Sequence, residues 1–265
     1  ITLHKSLEVI KKNNIDHVII EASSHGLHQK RIANLNFKAG IFTNFSQDHL
    51  DYHKNMKSYL NAKLLLCKEN LSRHKYVIYD KFVKQFSQIK KIAKKKNLKL
   101  IDISEIKKKI DKIPNLRLKE FQIKNLSMAI SAAKLCNLKE KQIFKSLDKI
   151  KDVNGRLELI KVFPNNIKIY VDFAHTPDAL LKSINALMTE HNKKISLVFG
   201  CGGDRDFKKR PLMGKIASSK CNKIFVTDDN PRNENPEKIR KEILRSIKNK
   251  NSFNIGNRTL AIRPR

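Results

Sequence analysis

Cysteine, glycine, proline and the aromatic residues are all scarce in this chain, and tryptophan is absent. The four cysteines are scattered without a Cys-x-x-Cys pair, which argues against a disulfide framework or a zinc site and favours buried thiols in a reducing compartment. No hydrophobic run approaches the roughly 20 apolar residues that a membrane-spanning helix needs. No charged-then-apolar signal segment opens the sequence either. We therefore expect a cytoplasmic protein without a membrane partner.

Acidic residues are also in short supply, since 25 Asp and Glu stand against 56 Lys and Arg and the formal net charge is +31. Such a charge would suit a nucleic-acid partner. The lysines, however, are spread along most of the chain and greatly outnumber the arginines, so base stacking and bidentate base contacts are poorly supplied. We predict no nucleic-acid partner and expect anionic small molecules instead. A basic nucleic-acid-binding protein is the alternative from another functional class.

The chain alternates short β-rich runs with amphipathic helical segments, which predicts α/β layers around mostly parallel sheets. The predicted helices are 6–12, 57–70, 123–136, 139–150, 177–188, 211–219 and 236–247. The predicted strands are 17–21, 39–43, 76–79, 98–103, 167–173, 195–199 and 223–227. Val153-Asn154-Gly155-Arg156 is typical of a hinge, so we expect two domains, 1–152 and 153–265.

Polar residues gather where the predicted strands end, which is where open α/β sheets bind ligands. The first group, Glu21 to Gly26, follows strand 17–21 and offers a carboxylate, two hydroxyls and an imidazole. It suits metal and polar substrate binding, or equally a capped turn with Ser24 as the N-cap. The second group, Thr43 to His53, holds Asp48, His49 and Asp51 and could contact a cation or phosphate.

Lys63 follows this second group on the apolar side of a predicted helix. A lysine among apolar neighbours usually buries its stem and exposes its ammonium. It could instead have a lowered pKa and react with a small electrophile such as carbon dioxide.

The remaining groups lie in the second half. Asp172 and His175 precede a helix opened by Pro177, and such a helix N-terminus favours anions. The loop 200–206 contains three glycines that would let a ligand approach the backbone, and basic residues at 208–210 suit phosphate or carboxylate. The segment 228–232 is either a turn or the place where Arg232 holds a carboxylate in two hydrogen bonds. No Walker A pattern occurs.

Six segments, in order and spaced over about residues 17 to 236, together resemble the Mur ligases: EASSHGLHQKRI, TNFSQDHLDYHKNMKSYLNAK, NGRLE, VDFAHTPDAL, FGCGGDRDFKKRPLMGKIA and TDDNPRNENP. The resemblance implies a central ATP-binding α/β domain followed by a Rossmann-like α/β domain. It also implies a cytoplasmic ligase that uses ATP and Mg²⁺ and, we expect, acts as a monomer.

The resemblance implies a role for each candidate residue. Glu21, His49 and Lys63 would bind magnesium, with Lys63 carbamylated to N6-carboxylysine, and Lys63 and His175 would be catalytic. Residues that grip UDP-N-acetylmuramoyl-L-Ala-D-Glu would be Ser23, Gln29 and Arg31. Those that bind the nucleotide would be Asn125, Arg156, Asp172 and His175. Those that bind the incoming amino acid would be Arg205, Asp229, Asn230, Pro231 and Arg232.

The implied reaction joins meso-diaminopimelate to the D-glutamyl carboxylate through an acyl phosphate. Diaminopimelate is favoured over L-lysine because the arginine of Asp-Asn-Pro-Arg attracts the carboxylate at the far end of diaminopimelate and repels an ammonium. A lysine-adding enzyme and a folylpoly-γ-glutamate synthetase are the alternatives of the same class.

In these ligases a GTxGKT phosphate loop and a uridine-binding domain precede the segments found here. The last segment, 258–265, resembles the family's (D/N)R-x-x-AI stretch, after which the family continues. We therefore expect the chain to be part of a longer enzyme and to have little or no activity alone.

Overall fold

The computed structural model describes residues 2–114, 116, 118–193 and 195–263. They fall into two compact units. Unit 1 comprises the chain up to Phe45 together with Lys57–Lys149, and unit 2 comprises Ser46–Met56 together with the chain from Ile150 onward. The sequence predicted a domain boundary at residue 152. In the structure, the chain passes from unit 1 to unit 2 between Lys149 and Ile150.

Unit 1 is built on a parallel sheet with the strand order β1-β2-β3, in which Ala39 lies opposite Tyr76 and Tyr76 opposite Lys99. The strands are β1 (Ala39–Ile41), β2 (Tyr76–Tyr79) and β3 (Lys99–Asp102). The helices up to the end of this unit, with one that lies in unit 2, are α1 (Thr2–Lys12), α2 (Ser24–His28), α3 (Leu50–His53, in unit 2), α4 (Met56–Glu69), α5 (Phe86–Lys96), α6 (Ser104–Asp111), α7 (Glu120–Leu135) and α8 (Glu140–Lys145), followed by a 3-10 turn at Leu147–Lys149.

The middle strand β2 is buried on both faces, which explains its unbroken apolar sequence. Val77 packs on one face with Ile89 of α5, and Ile78 packs on the other with Met128 of α7. Each of these four side chains is at most 2% exposed. The predicted strand at 76–79 is therefore confirmed, and the strands predicted at 39–43 and 98–103 are each present in shortened form.

The strand predicted at 17–21 was wrong. These residues, all of them described, have no regular secondary structure, and Ile19 is 92% exposed. An apolar run becomes a parallel strand only where a neighbouring strand supplies its hydrogen-bond ladder. Among the described residues the sheet ends at β1, so the run 17–21 has no strand to pair with.

Unit 2 combines an antiparallel pair, β4 (Glu158–Val162) with β5 (Lys168–Val171), and a parallel sheet ordered β6-β7-β8. The parallel strands are β6 (Ser196–Phe199), β7 (Lys223–Val226) and β8 (Ser252–Asn254). The helices from Ile150 onward are α9 (Pro177–His191), α10 (Lys209–Lys220), α11 (Pro236–Leu244) and α12 (Arg258–Ile262). The sequence did not predict β4 and β8, but the predicted class, α/β with parallel sheets, is confirmed.

The core of unit 2 lies between the parallel sheet and its helices. Ile224 and Val226 of β7, Ala217 of α10 and Ile243 of α11 are fully buried in one cluster. Two helices that frame the sheet have sequence-encoded starts: Thr176 caps α9 and Asn235 caps α11, each directly before a proline. The core therefore fixes where the loops after β6 and β7 emerge.

All four cysteines lie in the described part of the chain and carry free thiols; Cys67, Cys201 and Cys221 are buried, as predicted, whereas Cys136 is only partly buried. Burial raises the pKa of Cys67, Cys201 and Cys221 to about 11, so these thiols are poor nucleophiles. No helix of the described chain is both long enough and apolar enough to cross a bilayer.

Candidate active site

Within unit 2, the Asp48 carboxylate and the His175 imidazole form a hydrogen-bonded pair. Nε2 of His175 lies 3.3 Å from Oδ2 of Asp48, and its Nδ1 lies 3.1 Å from the carbonyl oxygen of Phe173. The segment Ser46–Met56 thus brings an acidic side chain to the loop that follows β5. Lys209, only 5% exposed, places Nζ 3.9 Å from Oδ1 of the same carboxylate.

This arrangement stabilises opposite charges on the pair. Burial alone would raise the pKa of Asp48, but the hydrogen bond with His175 and the charges of His49 and Lys209 lower it to about 2. The hydrogen bond with Asp48 raises the pKa of His175, against an opposing effect of burial. The contact thus favours the imidazolium form of His175 together with the carboxylate form of Asp48, and an imidazolium can donate to a phosphate oxygen.

Two further contacts join Ser46–Met56 to the glycine-rich loop after β6. Nε2 of Gln47 donates to Oδ2 of Asp206 at 3.0 Å, and the Arg205 guanidinium lies 4.0 Å from Asp51. Asp206 is 3% exposed and also accepts the Lys208 amide, so its role here is structural. Arg205, predicted to bind the incoming amino acid, is exposed at the same edge of unit 2.

The predicted nucleotide-binding residues of unit 2 surround Phe173. The Arg156 guanidinium lies 5.1 Å from the centre of the Phe173 ring, and the His175 ring meets that ring edge-on. Asp172 accepts the amides of Leu157 and Phe173 and a short hydrogen bond from the Ser183 hydroxyl. The structure therefore brings Arg156, Asp172 and His175 to one surface of unit 2.

Two of the three glycines in the loop 200–206 lie against backbone of the loop that follows β7. A side chain on Gly200 would overlap the carbonyl oxygen of Thr227, and one on Gly203 would overlap that of Pro231. The Gly203 amide donates to the Asn230 carbonyl at 2.9 Å. The absence of a side chain at Gly200 and Gly203 therefore makes room for the backbone of the loop after β7, a structural reason for these glycines that the sequence did not predict.

The loop after β7 presents Arg232 at the tip of a constrained turn. Asn230 Oδ1 accepts the Arg232 amide, Arg232 itself has the left-handed φ of 49°, and its guanidinium donates to the Gly203 carbonyl at 2.6 Å. Asp229 and Asn230 are exposed beside it, and Pro231 is partly buried. The turn predicted for this segment is confirmed, and it leaves the Arg232 side chain exposed, whereas carboxylate binding by Arg232 stays a prediction.

Arg210, which the sequence suggested as a phosphate or carboxylate ligand, is instead an internal residue. It is 1% exposed and its guanidinium binds the carboxylates of Glu234 and Glu242. No signal in the sequence indicated this burial, because Arg210 ends a run of basic residues and its two acidic partners lie 24 and 32 positions away.

In unit 1, the residues predicted to bind the UDP-linked substrate lie at the two ends of α2. Ser23 is the N-cap and accepts the Gly26 amide at 3.1 Å, which corrects the alternative that placed Ser24 there. Gln29 is the C-cap, and the Arg31 amide donates to the Gly26 carbonyl at 2.8 Å. All three are exposed.

Three other predicted residues also belong to unit 1. Nζ of Lys63 lies 5.4 Å from the centre of the Tyr59 ring and 5.9 Å from that of Phe42, so its partly buried position on α4 matches the apolar setting predicted for it. Glu21 is exposed just before α2, and Asn125 is exposed on α7.

The predicted metal ligands are divided between the units, with Glu21 and Lys63 in unit 1 and His49 in unit 2. Within the described residues, no three His, Cys, Asp or Glu side chains form a group that could hold a metal ion. A carbamylated Lys63 would add a carboxylate to this donor set. Carboxylate oxygens are the protein ligands that Mg²⁺ prefers, so the chemistry of the set suits that ion.

These features define an α/β protein of two compact units, each with a parallel sheet, in which Arg205 and the segment 229–232 follow the carboxyl ends of the parallel strands β6 and β7, where open α/β sheets bind ligands. Residues 1–147 match the Mur ligase middle domain, and residues 155–264 match the Mur ligase glutamate ligase domain. The chain belongs to the Mur ligase family, whose members are ATP-dependent amide ligases.

Among the relatives, UDP-N-acetylmuramoyl-L-alanyl-D-glutamate–2,6-diaminopimelate ligase of Rickettsia bellii is 36% identical over 99% of this chain and 60% of its own length. A solved structure of a ligase of that name is 27% identical, with a TM-score of 0.50 over 91% of this chain and 54% of the other. Mycobacterium tuberculosis folylpolyglutamate synthase is 14% identical with a TM-score of 0.65 over 86% and 56%, a likeness of fold alone. The chain thus spans about 60% of the length of its curated relatives.

Proposed function

We propose that the full-length protein is a cytoplasmic, monomeric ligase that uses ATP to join meso-diaminopimelate to UDP-N-acetylmuramoyl-L-alanyl-D-glutamate. The observation that carries the proposal is the placement of Arg232. Its turn is fixed by Asn230, one N–H is held by the Gly203 carbonyl, and the side chain remains exposed. The other N–H groups of the guanidinium are those we assign to the far carboxylate of diaminopimelate.

Charge supports diaminopimelate over lysine. At its far end diaminopimelate carries a carboxylate as well as an ammonium, whereas lysine carries an ammonium alone, which Arg232 would repel. Arg205 adds a second exposed guanidinium to unit 2, and Asp229 and Asn230 offer acceptors for an ammonium group. The relative from Rickettsia bellii has a name that specifies 2,6-diaminopimelate, which agrees with this assignment.

We assign the nucleotide to Arg156, Asp172 and His175 of unit 2 and Asn125 of unit 1, and the UDP-linked acceptor to Ser23, Gln29 and Arg31. The γ-phosphoryl group of ATP passes to the D-glutamyl carboxylate and ADP departs. The amine of diaminopimelate then attacks the carbonyl carbon, and phosphate leaves with the bonding electrons of its C–O bond. The imidazolium of His175 would stabilise negative charge on the phosphoryl oxygens.

Glu21, His49 and a carbamylated Lys63 would hold Mg²⁺, which when bound would neutralise charge on the phosphates. Lys63 fits this assignment in one respect: it is partly buried beside the Tyr59 and Phe42 rings, a setting among apolar neighbours in which a lysine can react with a small electrophile such as carbon dioxide. A carbon-13 NMR spectrum of the full-length protein in labelled bicarbonate would show a carbamate signal that Lys63→Arg lacks. The same spectrum in the variant and the wild type would reject the assignment.

The test of function is phosphate release by the full-length gene product with ATP and the UDP-linked acceptor, with meso-diaminopimelate and L-lysine supplied separately. We expect release with diaminopimelate. Arg232→Ala should raise KM for diaminopimelate by roughly 10- to 100-fold, the value of a charged two-point contact. Arg73→Ala, at an exposed arginine of unit 1, is the matched control and should change nothing.

Other outcomes have definite meanings. Release with lysine alone would keep the ligase chemistry and reject the amino-acid assignment. No release with either amino acid, together with tight salt-sensitive binding to DNA or RNA, would favour the nucleic-acid-binding alternative.

A further inference from the structure

The Arg210 guanidinium is a buried junction in unit 2. One terminal nitrogen donates to Glu234 Oε2 at 2.9 Å and to Glu242 Oε2 at 2.8 Å. The other donates to Glu234 Oε1 at 2.7 Å and to the Gly202 carbonyl at 3.3 Å. Arg210 lies at the start of α10 and is 1% exposed, while each glutamate side chain is 26% exposed. Arg210 therefore faces the protein interior and touches no surface that a substrate could reach.

Glu234 ties this junction to both loops that flank the amino-acid site. Its Oε1 also accepts the Asp204 amide of the glycine-rich loop at 2.6 Å, and its own amide donates to the Pro231 carbonyl at 3.0 Å. The hydrogen bond with Arg210 lowers the pKa of Glu234, so it is ionised at neutral pH. Glu234 thus connects three parts of unit 2: its carboxylate binds the loop after β6 and a buried cation, and its backbone amide binds the turn that carries Arg232.

Glu242 is bound by the same guanidinium but has a different setting. It lies on α11, and its contact with Arg210 joins two helices rather than the two loops. The pair of glutamates therefore separates two functions of Arg210: one contact stabilises helix packing, and the other fixes the loops.

We propose that Arg210 and Glu234 are positioning residues that hold the loops 200–206 and 228–233 in the geometry that binds the amino-acid substrate. This inference rests on the proposed function, because it assigns these loops to the incoming amino acid. Neither residue touches substrate. They act by keeping the Arg232 guanidinium where its free N–H groups meet the carboxylate, and a displacement of about 1 Å is enough to weaken such a contact.

The experiment compares Glu234→Gln with Glu242→Gln in the full-length protein. Each variant removes one charge at equal exposure from the same guanidinium. Glu234→Gln should raise KM for meso-diaminopimelate by about tenfold, with kcat and the KM for ATP changed less than about twofold. Both variants should lower the melting temperature by similar amounts, but Glu242→Gln should leave the KM for meso-diaminopimelate unchanged. Equal effects of the two variants on KM, or none from either, would reject the positioning role.

Amide hydrogen exchange gives a second readout that does not depend on which amino acid is the substrate. Glu234→Gln should speed exchange at Asp204 and across 230–233, and Glu242→Gln should not. Faster exchange in both variants or in neither would overturn the inference. Selective exchange in a protein that rejects diaminopimelate would leave the positioning pair standing and remove the proposed function.

Discussion

At the scale of single residues, Asp48 and His175 depend on each other for their charge. The His175 contact contributes to lowering the pKa of Asp48 to about 2, and the Asp48 contact raises the pKa of His175. The stability from the Asp48 carboxylate is present above pH about 4 and is lost as the pH falls toward 2. The stability from the imidazolium is present below pH about 6.5 and is lost as the pH rises through the raised pKa of His175.

Asp48→Asn should therefore lower the pKa of His175 toward its ordinary value of about 6.5. Proton NMR titration of the histidine ring signals measures this pKa, with the His175 signal assigned by its loss in His175→Gln. Asp51→Asn is the matched control, because Asp51 contacts Arg205 rather than His175. An equal shift in both variants would show a general effect of surface charge, and no shift in Asp48→Asn would contradict the hydrogen bond.

At the scale of structural elements, the loops after β6 and β7 fit together because glycine leaves room for a carbonyl oxygen. Gly203→Ala should push the turn at Pro231 outward, with a loss of about 1–3 kcal/mol of unfolding free energy from overpacking. Thermal or urea unfolding measures this loss. Gly256→Ala is the control, since the atoms nearest to its new methyl group are side-chain ends of Arg240 and Asp228, the closest at 3.0 Å, and not backbone. Equal losses in both would reject the packing explanation.

The elements show where sequence reasoning succeeds and where it does not. The strand 76–79 was predictable because its apolar run is buried by residues on both faces. The run 17–21 has a similar apolar sequence. A strand also needs a neighbouring strand to pair with, and the local sequence does not show whether one is present. Short edge elements such as β8, with the sequence Ser-Phe-Asn, carry too little periodicity to be recognised.

Only part of the candidate site could be predicted from the sequence, as was the case for the strands. Side-chain chemistry and family resemblance singled out His175 and Arg232, and the structure places both on exposed loops after strands of unit 2. The supporting residues were not predictable, because Asp48, Arg210 and Glu234 act through partners distant in sequence. Residue type alone does not show whether an arginine is buried, as Arg210 is, or exposed, as Arg232 is; the fold decides this.

At the scale of the whole molecule, the formal net charge of +31 acts on every folded residue. Like charges repel more strongly in the compact state, so the chain should gain stability when salt screens them. Raising sodium chloride from about 10 mM to about 100 mM shortens the screening length from about 30 Å to about 10 Å. We expect a higher melting temperature at the higher concentration, measured by differential scanning calorimetry.

Sodium sulfate at equal ionic strength is the control for this experiment. Equal increases in the two salts would support general screening, whereas a larger increase in sulfate would reveal binding or exclusion of that anion. A melting temperature that falls with either salt would show that ion pairs such as Arg210 with its two glutamates outweigh the repulsion.

The make-up of unit 2 has a consequence for how the protein is made. Ser46–Met56 belongs to that unit, yet it leaves the ribosome long before the chain from Ile150 onward. Asp48 can therefore contact His175 and Lys209 only after the rest of unit 1 and those two residues have been synthesised. The contacts that join Ser46–Met56 to the rest of unit 2 therefore form only after the second half of the chain has been made, and they are of long range in sequence.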